Sequence, residues 1–452
     1  MLSLGIDIGT SGVRAVVLNE QQSIIAQAQC DLEKSSPFSI KENIKEYRVI
    51  GYSQNPQQWW AAVENTLLQI KALLHKDNIK LEAISHLALD GTSGTVLLAD
   101  KTGTPLCDAL MYNDQRCTAQ AAQIKKFAPD NTAAIGVTSG LAKLIWLYQK
   151  QPQQQLIRYA LNQADWIAAK LSGQYGISDT NNALKMGYDA QSHCWPDWVN
   201  TLLIKNNISP SILPQVISPG KTIATVADNI AEYFGFSKNL KICAGTTDST
   251  AAIIASGAAE VGQAVTSLGS SLVMKVISRK AIFDQQSGVY SQPYGKLWLV
   301  GGSSNSGGEV IKQFFNSEQV SRMTSELDHK VRQKELSLLD LNYYPLATPG
   351  ERFPIQNPLL KPKFLPKAES EIDFFQALLE GMADIETLAY NKLLDLGAPY
   401  PKRVISIGGG AFNKSWRTIR EKKLAVPVIM AEQQAAAAGA AILAQSSWHK
   451  LT

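Results

Sequence analysis

The sequence predicts an α/β protein in which one strand-rich unit occurs twice. Short β-branched strands alternate with amphipathic helical stretches along most of the chain. A strand, a Gly/Ser/Thr turn and a second strand open the first half around Asp7–Gly12, and the same pattern returns around Ser267–Ser271. The composition is that of an ordinary globular chain, with 452 residues, 45% hydrophobic, 18% charged and 8% aromatic. That excludes disordered, collagen-like and coiled-coil chains.

The length suits two or three domains of roughly 100–200 residues, each able to bury a core. Lys+Arg 43 against Asp+Glu 39 leaves a net charge of +4, spread thinly. Nothing in this points to nucleic acid, although an anionic small molecule needs only a local field. No apolar run approaches ~18 residues, so no membrane span is expected. Met1-Leu2-Ser3-Leu4 carries no basic stretch and no signal or transit peptide is read there. The five cysteines are far apart with no CxxC pair. The expected setting is the cytoplasm, or a plastid stroma if the source is a plant.

Taken in order, Leu4, Ile6 and Ile8 alternate before Gly9-Thr10-Ser11-Gly12, and Val13–Leu18 returns as a strand, making a hairpin. Trp59, Trp60, Val63, Leu67 and Ile70 follow a helical period within Pro56–Leu74. Ile84–Leu89 is a strand entering Asp90-Gly91-Thr92-Ser93-Gly94-Thr95, and Val96–Ala99 is the strand leaving it. In the second half, strands are expected at 262–267, 272–277, 297–300 and 404–407, the third stopping at Gly301-Gly302 and the fourth at Gly408-Gly409-Gly410. Asp373–Leu396 reads as a long helix ended by Gly397 and Pro399. Glu432–Ala444 reads as an Ala-rich helix, and Tyr343–Pro366 as a proline-rich surface excursion. The domain boundary is placed between residues 245 and 246, with the last helix, about 432–452, packing back on the first domain.

Several segments can carry chemistry. Asp7 through Gly12 offers backbone N–H groups, the hydroxyls of Thr10 and Ser11, and one carboxylate in a tight turn. Such a concavity holds phosphate oxygens, and Asp7 could orient Mg²⁺ through water. Alone it is more often an ordinary hairpin turn. A second turn of the same character, Ser267-Leu268-Gly269-Ser270-Ser271, favours two grips on a nucleotide. Asp248, in Gly245-Thr246-Thr247-Asp248, precedes an Ala-rich helix and is either a cap or a base for a hydroxyl substrate. Asp90, Ser93 and the stretch Asn113-Asp114-Gln115-Arg116 offer the mixed donors and acceptors of a polyol site, or else turn chemistry and an ion pair. Gly409, Gly410 and Asn413 end a strand where a flat nucleoside could lie on backbone.

Other patterns fail. Gly220-Lys221-Thr222 resembles the end of a P-loop, but Gln215 stands where the first glycine belongs. Val13 breaks a nucleophile elbow at Gly9–Gly12. The five histidines are dispersed, and no zinc is expected.

The ordered set resembles the FGGY carbohydrate kinases of the actin/Hsp70-like ATPase superfamily. The matching residues are Gly5–Gly12, Asp90–Thr95, Tyr112–Arg116, Lys143 with Trp146, Gly245–Asp248, Ser267–Ser271 and Gly408–Gly410. Within the family, Asp90–Thr95 and the short chain are most similar to the D-ribulose kinase group of cyanobacteria and plants. The resemblance implies two ribonuclease-H-like domains around a central cleft, ATP and Mg²⁺ as cofactors, and a monomer or homodimer. It implies that Asp248 is the catalytic base, that Asp7 serves Mg²⁺ and the sugar, and that Asp90, Ser93 and Asn113 lie at the sugar. Thr10, Ser11, Ser267, Gly269, Ser270, Gly409, Gly410 and Asn413 are implied on the ATP side. The expected reaction is phosphorylation of a ketopentose at its terminal hydroxyl, D-ribulose first, with D-xylulose or another polyol as alternative. A nucleotide-switched binding protein on the same scaffold is the rival of another class.

Overall fold

The computed structural model describes residues 1–33, 38–40 and 49–445. The chain divides into two compact units. One is Met1–Ala255 with the chain from Ala435 onward, and the other is Ser256–Gln434.

The first unit is built on β1 (Leu2–Ile8), β2 (Gly12–Leu18), β3 (Ile24–Asp31), β4 (Ile84–Gly91), β5 (Thr222–Thr225), β6 (Lys241–Cys243) and β7 (Thr246–Thr247). Their order is β5-β6-β4-β1-β2-β3, with β7 also on β4. Strands β1, β2 and β3 form an antiparallel meander, whereas β4 runs parallel to β1 and β6 parallel to β4. Leu4, Ile6 and Ile8 alternate onto one face of β1 and are all buried in a core shared with Trp59, Val63 and Leu67. On one face lies α1 (Pro56–Lys76), capped by Asn55 with Pro56 at its first turn; Trp59, Val63, Leu67, Ile70 and Leu74 are buried. The other face of β1 meets the C-terminal helix Ala436–Ala444 at Gly5, where a Cβ would sit 1.9 Å from the Ala437 carbonyl oxygen. Four more helices matter here: α2 (Gly140–Lys150), α3 (Gln163–Ser172), α4 (Thr180–Ala183) and α5 (Asp248–Ala255).

The second unit contains β8 (Gln263–Leu268), β9 (Leu272–Ser278), β10 (Tyr290–Tyr294), β11 (Leu297–Ser304), β12 (Arg403–Ile407) and β13 (Val428–Met430), in the order β10-β11-β9-β8-β12-β13. The path β11-β9-β8-β12-β13 repeats the path β3-β2-β1-β4-β6 in relative direction: antiparallel twice, then parallel twice. The duplication read from the two hairpins is thus a duplication of sheet topology. The helices α6 (Glu371–Asp395) and α7 (Lys414–Leu424) are tied to this sheet through a buried ion pair: Arg420 Nε donates to Glu386 at 2.6 Å and Arg420 Nη1 to Ser406 of β12 at 2.6 Å.

Several expectations change. Val96–Ala99 is the strand expected after the turn, but it belongs to a small separate sheet with Tyr159–Asn162 and Ala109–Leu110. The Ser93 turn therefore connects two sheets. Strand β11 does not stop at Val300, because Gly301 and Gly302 continue it where side chains could not fit. A Cβ on Gly301 would lie 1.9 Å from the Met274 carbonyl oxygen, and one on Gly302 would lie 2.6 Å from the Phe353 ring. Phe353, Tyr343 and Leu346 are buried, so the proline-rich stretch supplies core as well as surface. The last helix begins at Ala436, not Glu432: the backbone of Ala435 is extended, and the Gln434 side chain before it accepts the Gly408 N–H (2.9 Å). The part of that expected helix from 446 onward lies outside the described residues. Finally, a boundary after residue 245 would separate Asp248 from Asp7, whereas α5 stays in the first unit, packed under Gly439 of the C-terminal helix.

Candidate functional site

In the first unit the C-terminal ends of three parallel strands meet at one level. Asp7 of β1 pairs in register with Asp90 of β4, and Asp90 with Thr246 of β7. Asp248 follows two residues later as the first residue of α5. Asp90 is fully buried, and neither of its oxygens receives a hydrogen bond from a donor group. Burial, with the charges of Asp7 and Asp248, holds its carboxyl well above the usual carboxylate range. Asp7 is raised too, by burial, and is held back by a bond with Asp90 and by Arg14, whose Nη1 donates to Asp7 Oδ2 at 3.3 Å. The charge of Asp7 beside it disfavours ionisation of Asp90, and a cation shared by the two would relieve that.

Asp248 is half-buried, and burial raises its carboxyl to about 6. Asp7 adds to the shift; the Ser249 N–H, which donates to Asp248 Oδ1 at 2.6 Å, and the ammonium of Lys185 oppose it. Lys185 Nζ also donates to the Ser93 carbonyl at 3.3 Å. Its ammonium therefore links the Ser93 turn to the field around Asp248. Two asparagines hold the strand before Asp248: Asn181 Nδ2 donates to Thr246 Oγ1 (2.9 Å), and Asn182 Nδ2 to the Thr246 carbonyl (3.2 Å). Asp179 caps α4 and accepts from Asn182 Nδ2 at 2.6 Å.

The Ser93 turn is anchored from behind, as Gln163 Oε1 accepts from the Thr92 N–H (3.1 Å) and Thr92 Oγ1 (2.8 Å). Asn113 is half-buried with an unpartnered Oδ1, and it sits beside the buried Asp114–Arg116 ion pair (2.7 Å). The pair is internal rather than the surface contact that the sequence left open. In the Asp7 hairpin, the Gly9 N–H donates to the Gly12 carbonyl (3.0 Å), and Gln54 Nε2 to the Thr10 carbonyl (2.9 Å). The Thr10 turn is thus held by its backbone.

In the second unit, Ser267 lies near the end of β8, opposite Val273, while Gly269 and Ser270 form the β8–β9 turn and are exposed. The segment after β11 braces it: the Gly308 N–H donates to the Gly269 carbonyl (2.9 Å) and the Glu309 N–H to the Ser270 carbonyl (3.2 Å). Gly307 sits there at φ +148° with Ser270 O 2.7 Å from a would-be Cβ, so only glycine fits. The end of β12 abuts the same turn, since a Cβ on Gly408 would lie 3.0 Å from the Leu268 carbonyl oxygen. Gly409 faces open space. Asn413 caps α7, accepting from the Trp416 N–H (2.8 Å) and donating to Thr324 (3.3 Å), so both ends of its amide are engaged.

Residues 2–255 match the N-terminal domain of the FGGY family of carbohydrate kinases, and residues 264–448 match its C-terminal domain. The chain belongs to that family. It is 25% identical to a xylulose kinase of Staphylococcus xylosus over 464 residues, which covers 98% of this chain and 90% of the relative. It is 24% identical to a xylulose kinase of Escherichia coli, covering 92% and 83%. Among solved structures, a "xyloylose kinase" from Brucella ovis superposes with a TM-score of 0.85 at 22% identity, over 98% of this chain and 90% of the other. Both units of this FGGY kinase accordingly have the actin/Hsp70-like ATPase fold, and the chain is a sugar phosphotransferase.

For this kinase the first unit gathers Asp7, Asp90, Ser93 and Asp248, together with Lys185, which the sequence reading missed. No spacing betrays Lys185, which is 92 positions from Ser93. Arg14 was legible in principle, because the hairpin register places it opposite Asp7. Among the described residues, no group of three or more His, Cys, Asp and Glu side chains is arranged to chelate a metal. Asp7 and the donor-less carboxyl of Asp90 together suit a cation that keeps most of its waters, as Mg²⁺ does. No helix among the described residues is long and apolar enough to cross a membrane.

Proposed function

We propose that this FGGY kinase transfers the γ-phosphoryl group of ATP to the terminal hydroxyl of a ketopentose, with D-ribulose as the first acceptor. The observation that carries the reading is Asp248, a half-buried carboxylate raised to about 6, beside the Asp7–Asp90 pair. A base of that strength is ionised at neutral pH yet able to hold a proton. In the proposed step, the sugar hydroxyl gives its proton to Asp248 as its oxygen attacks the γ-phosphorus. The bond to the bridging oxygen breaks, and ADP leaves with that electron pair.

Ser93, Asn113 and Lys185 are the proposed sugar contacts. The unpartnered Oδ1 of Asn113 supports an acceptor role toward a sugar hydroxyl. Thr10 and Ser11 in the first unit, and Ser267, Gly269 and Ser270 in the second, are the proposed phosphate contacts, through backbone N–H groups and hydroxyls. Gly409 and Gly410 would lie along the nucleoside, while Asn413, already engaged, would hold the turn that carries them. Mg²⁺ would be held by Asp7 and Asp90, largely through water, and would neutralise charge on the transferred phosphoryl.

D-ribulose rests on the Asp90–Thr95 stretch. The names of the relatives favour D-xylulose as a second reading. A coupled ADP-release assay over D-ribulose, D-xylulose, L-ribulose and glycerol separates them. A higher kcat/KM for D-ribulose supports the first reading, and a tenfold preference for D-xylulose replaces it. No turnover with any of these would overturn both.

A further inference from the structure

Lys143, on α2, is fully buried, and its ammonium ends among backbone carbonyls rather than beside a carboxylate. Nζ donates to the carbonyls of Gly94 (2.7 Å), Tyr112 (3.1 Å) and Thr138 (3.0 Å). The protonated amine has three donors, and three carbonyls take them; burial, with the charge of Lys185, lowers its pKa to about 7, so the full set of bonds is best kept on the acid side of neutrality. The acceptors come from three separate segments. Gly94 follows Ser93 in the turn after β4. The Tyr112 carbonyl belongs to the peptide bond that begins Asn113. Thr138 precedes the Ser139 cap of α2 itself.

Burying an amine is costly, and a Met of similar length would fill the same space without that cost. What a Met could not do is hold three peptide planes at one point. Gly94 adopts φ +82°, which glycine takes without strain, so the turn carrying Ser93 gets its shape from its own sequence and its placement from the Lys143 contact.

We infer that Lys143 is a positioning residue of the sugar site, an internal knot that sets the Ser93 turn and the Asn113 segment at a fixed separation. It touches no substrate. The inference rests on the reading that Ser93 and Asn113 face the sugar. The three bonds of Lys143 reach no residue proposed on the nucleotide side, so its loss should be felt by one substrate only.

The test compares Lys143→Gln, which keeps two donors, with Lys143→Met, which keeps none, and with Lys143→Arg as the conservative replacement. A core truncation in α1, Leu74→Ala, controls for general loss of stability. Sugar KM should rise at least ~10-fold in Lys143→Gln and further in Lys143→Met, with ATP KM within about twofold, and Lys143→Arg should recover part of the loss. Backbone amide exchange should speed up in residues 92–95 and 112–115 together, and stay unchanged in 246–250. Should Lys143→Met fail to fold, the Gln and Arg variants carry the comparison. A folded Gln variant with unchanged sugar KM, or with both KM values rising together as in the Leu74→Ala control, overturns the inference. If the wild-type enzyme phosphorylates no sugar of the panel, the sugar reading falls instead, and the joint exchange of the two segments alone decides whether the knot exists.

Discussion

Asp7 and Asp90 are register partners across the parallel β1–β4 ladder, and Asp90 has no hydrogen-bond donor of its own. Burial and the charge of Asp7 raise the Asp90 carboxyl, so a proton or a cation bound there relieves the pair. Replacing Asp90 by Asn removes one charge without changing shape. Apparent Mg²⁺ affinity in the kinase assay should weaken by about tenfold or more. In the wild type that affinity should tighten as pH rises, because metal and proton compete for the pair, and in Asp90→Asn the dependence should flatten. Identical Mg²⁺ titrations for both proteins at pH 6 and 8 would contradict this.

Asp248→Ala should lower kcat by ~10²–10⁴ with a small change in sugar KM, the weight of a general base. The sign of the pH dependence follows from its raised carboxyl. The base works when ionised, so kcat is full above about 6 and falls as pH drops below it. A pH–kcat profile with no acid limb between 5 and 7 would remove Asp248 from the role.

Lys185 stabilises the ionised form of Asp248. Lys185→Met should therefore move that acid limb to higher pH, toward neutrality, and raise sugar KM. A limb that stays in place or shifts downward in this variant would show that the two side chains are not coupled.

Asn182→Ala should loosen the carbonyl contact to Thr246 and misplace Asp248. A small displacement of a reacting group can cost up to ~10²-fold, so a fall in kcat of roughly tenfold is expected, with ATP KM unchanged. Steady-state kinetics of a variant whose thermal unfolding matches wild type would decide it; full kcat there would mean the strand holds itself.

Gly439→Ala is a stability experiment. Alanine in a helix interior is favoured over glycine by ~1 kcal/mol. Against that, the new Cβ would lie 1.8 Å from the Ala251 carbonyl oxygen of α5. Backbone cannot yield like a side chain, so overpacking wins and a net loss of about 2 kcal/mol or more is expected. Urea unfolding with an unchanged or higher midpoint would refute the close approach.

Much of the fold was readable along the chain. The hairpin around Gly9–Gly12, the helix beginning at Pro56 and the long helix closed by Gly397 each declare themselves through period and capping, which are local properties. The expected strand stops before Gly301 because glycine usually ends a strand, whereas in the fold Gly301 makes room for the Met274 carbonyl and Gly302 for Phe353, a contact between residues about fifty positions apart. The same limit hid Lys185 and the Asn181–Asn182 clamp. Their partners are distant in sequence, and a lysine or an asparagine in a short helical turn carries no pattern.

The order of short motifs from Asp7 to Gly410, by itself, determined the doubled architecture, the family and the identity of the acidic residues, because turn chemistry and strand periodicity are written in consecutive residues. Which unit owns Asp248, that Asp90 stands without a donor against Asp7, and that one buried amine bonds the carbonyls of Gly94 and Tyr112, next to Ser93 and Asn113, were decided only in three dimensions. Burial, register between strands and the convergence of dipoles depend on segments far apart in the chain, and no local pattern encodes them.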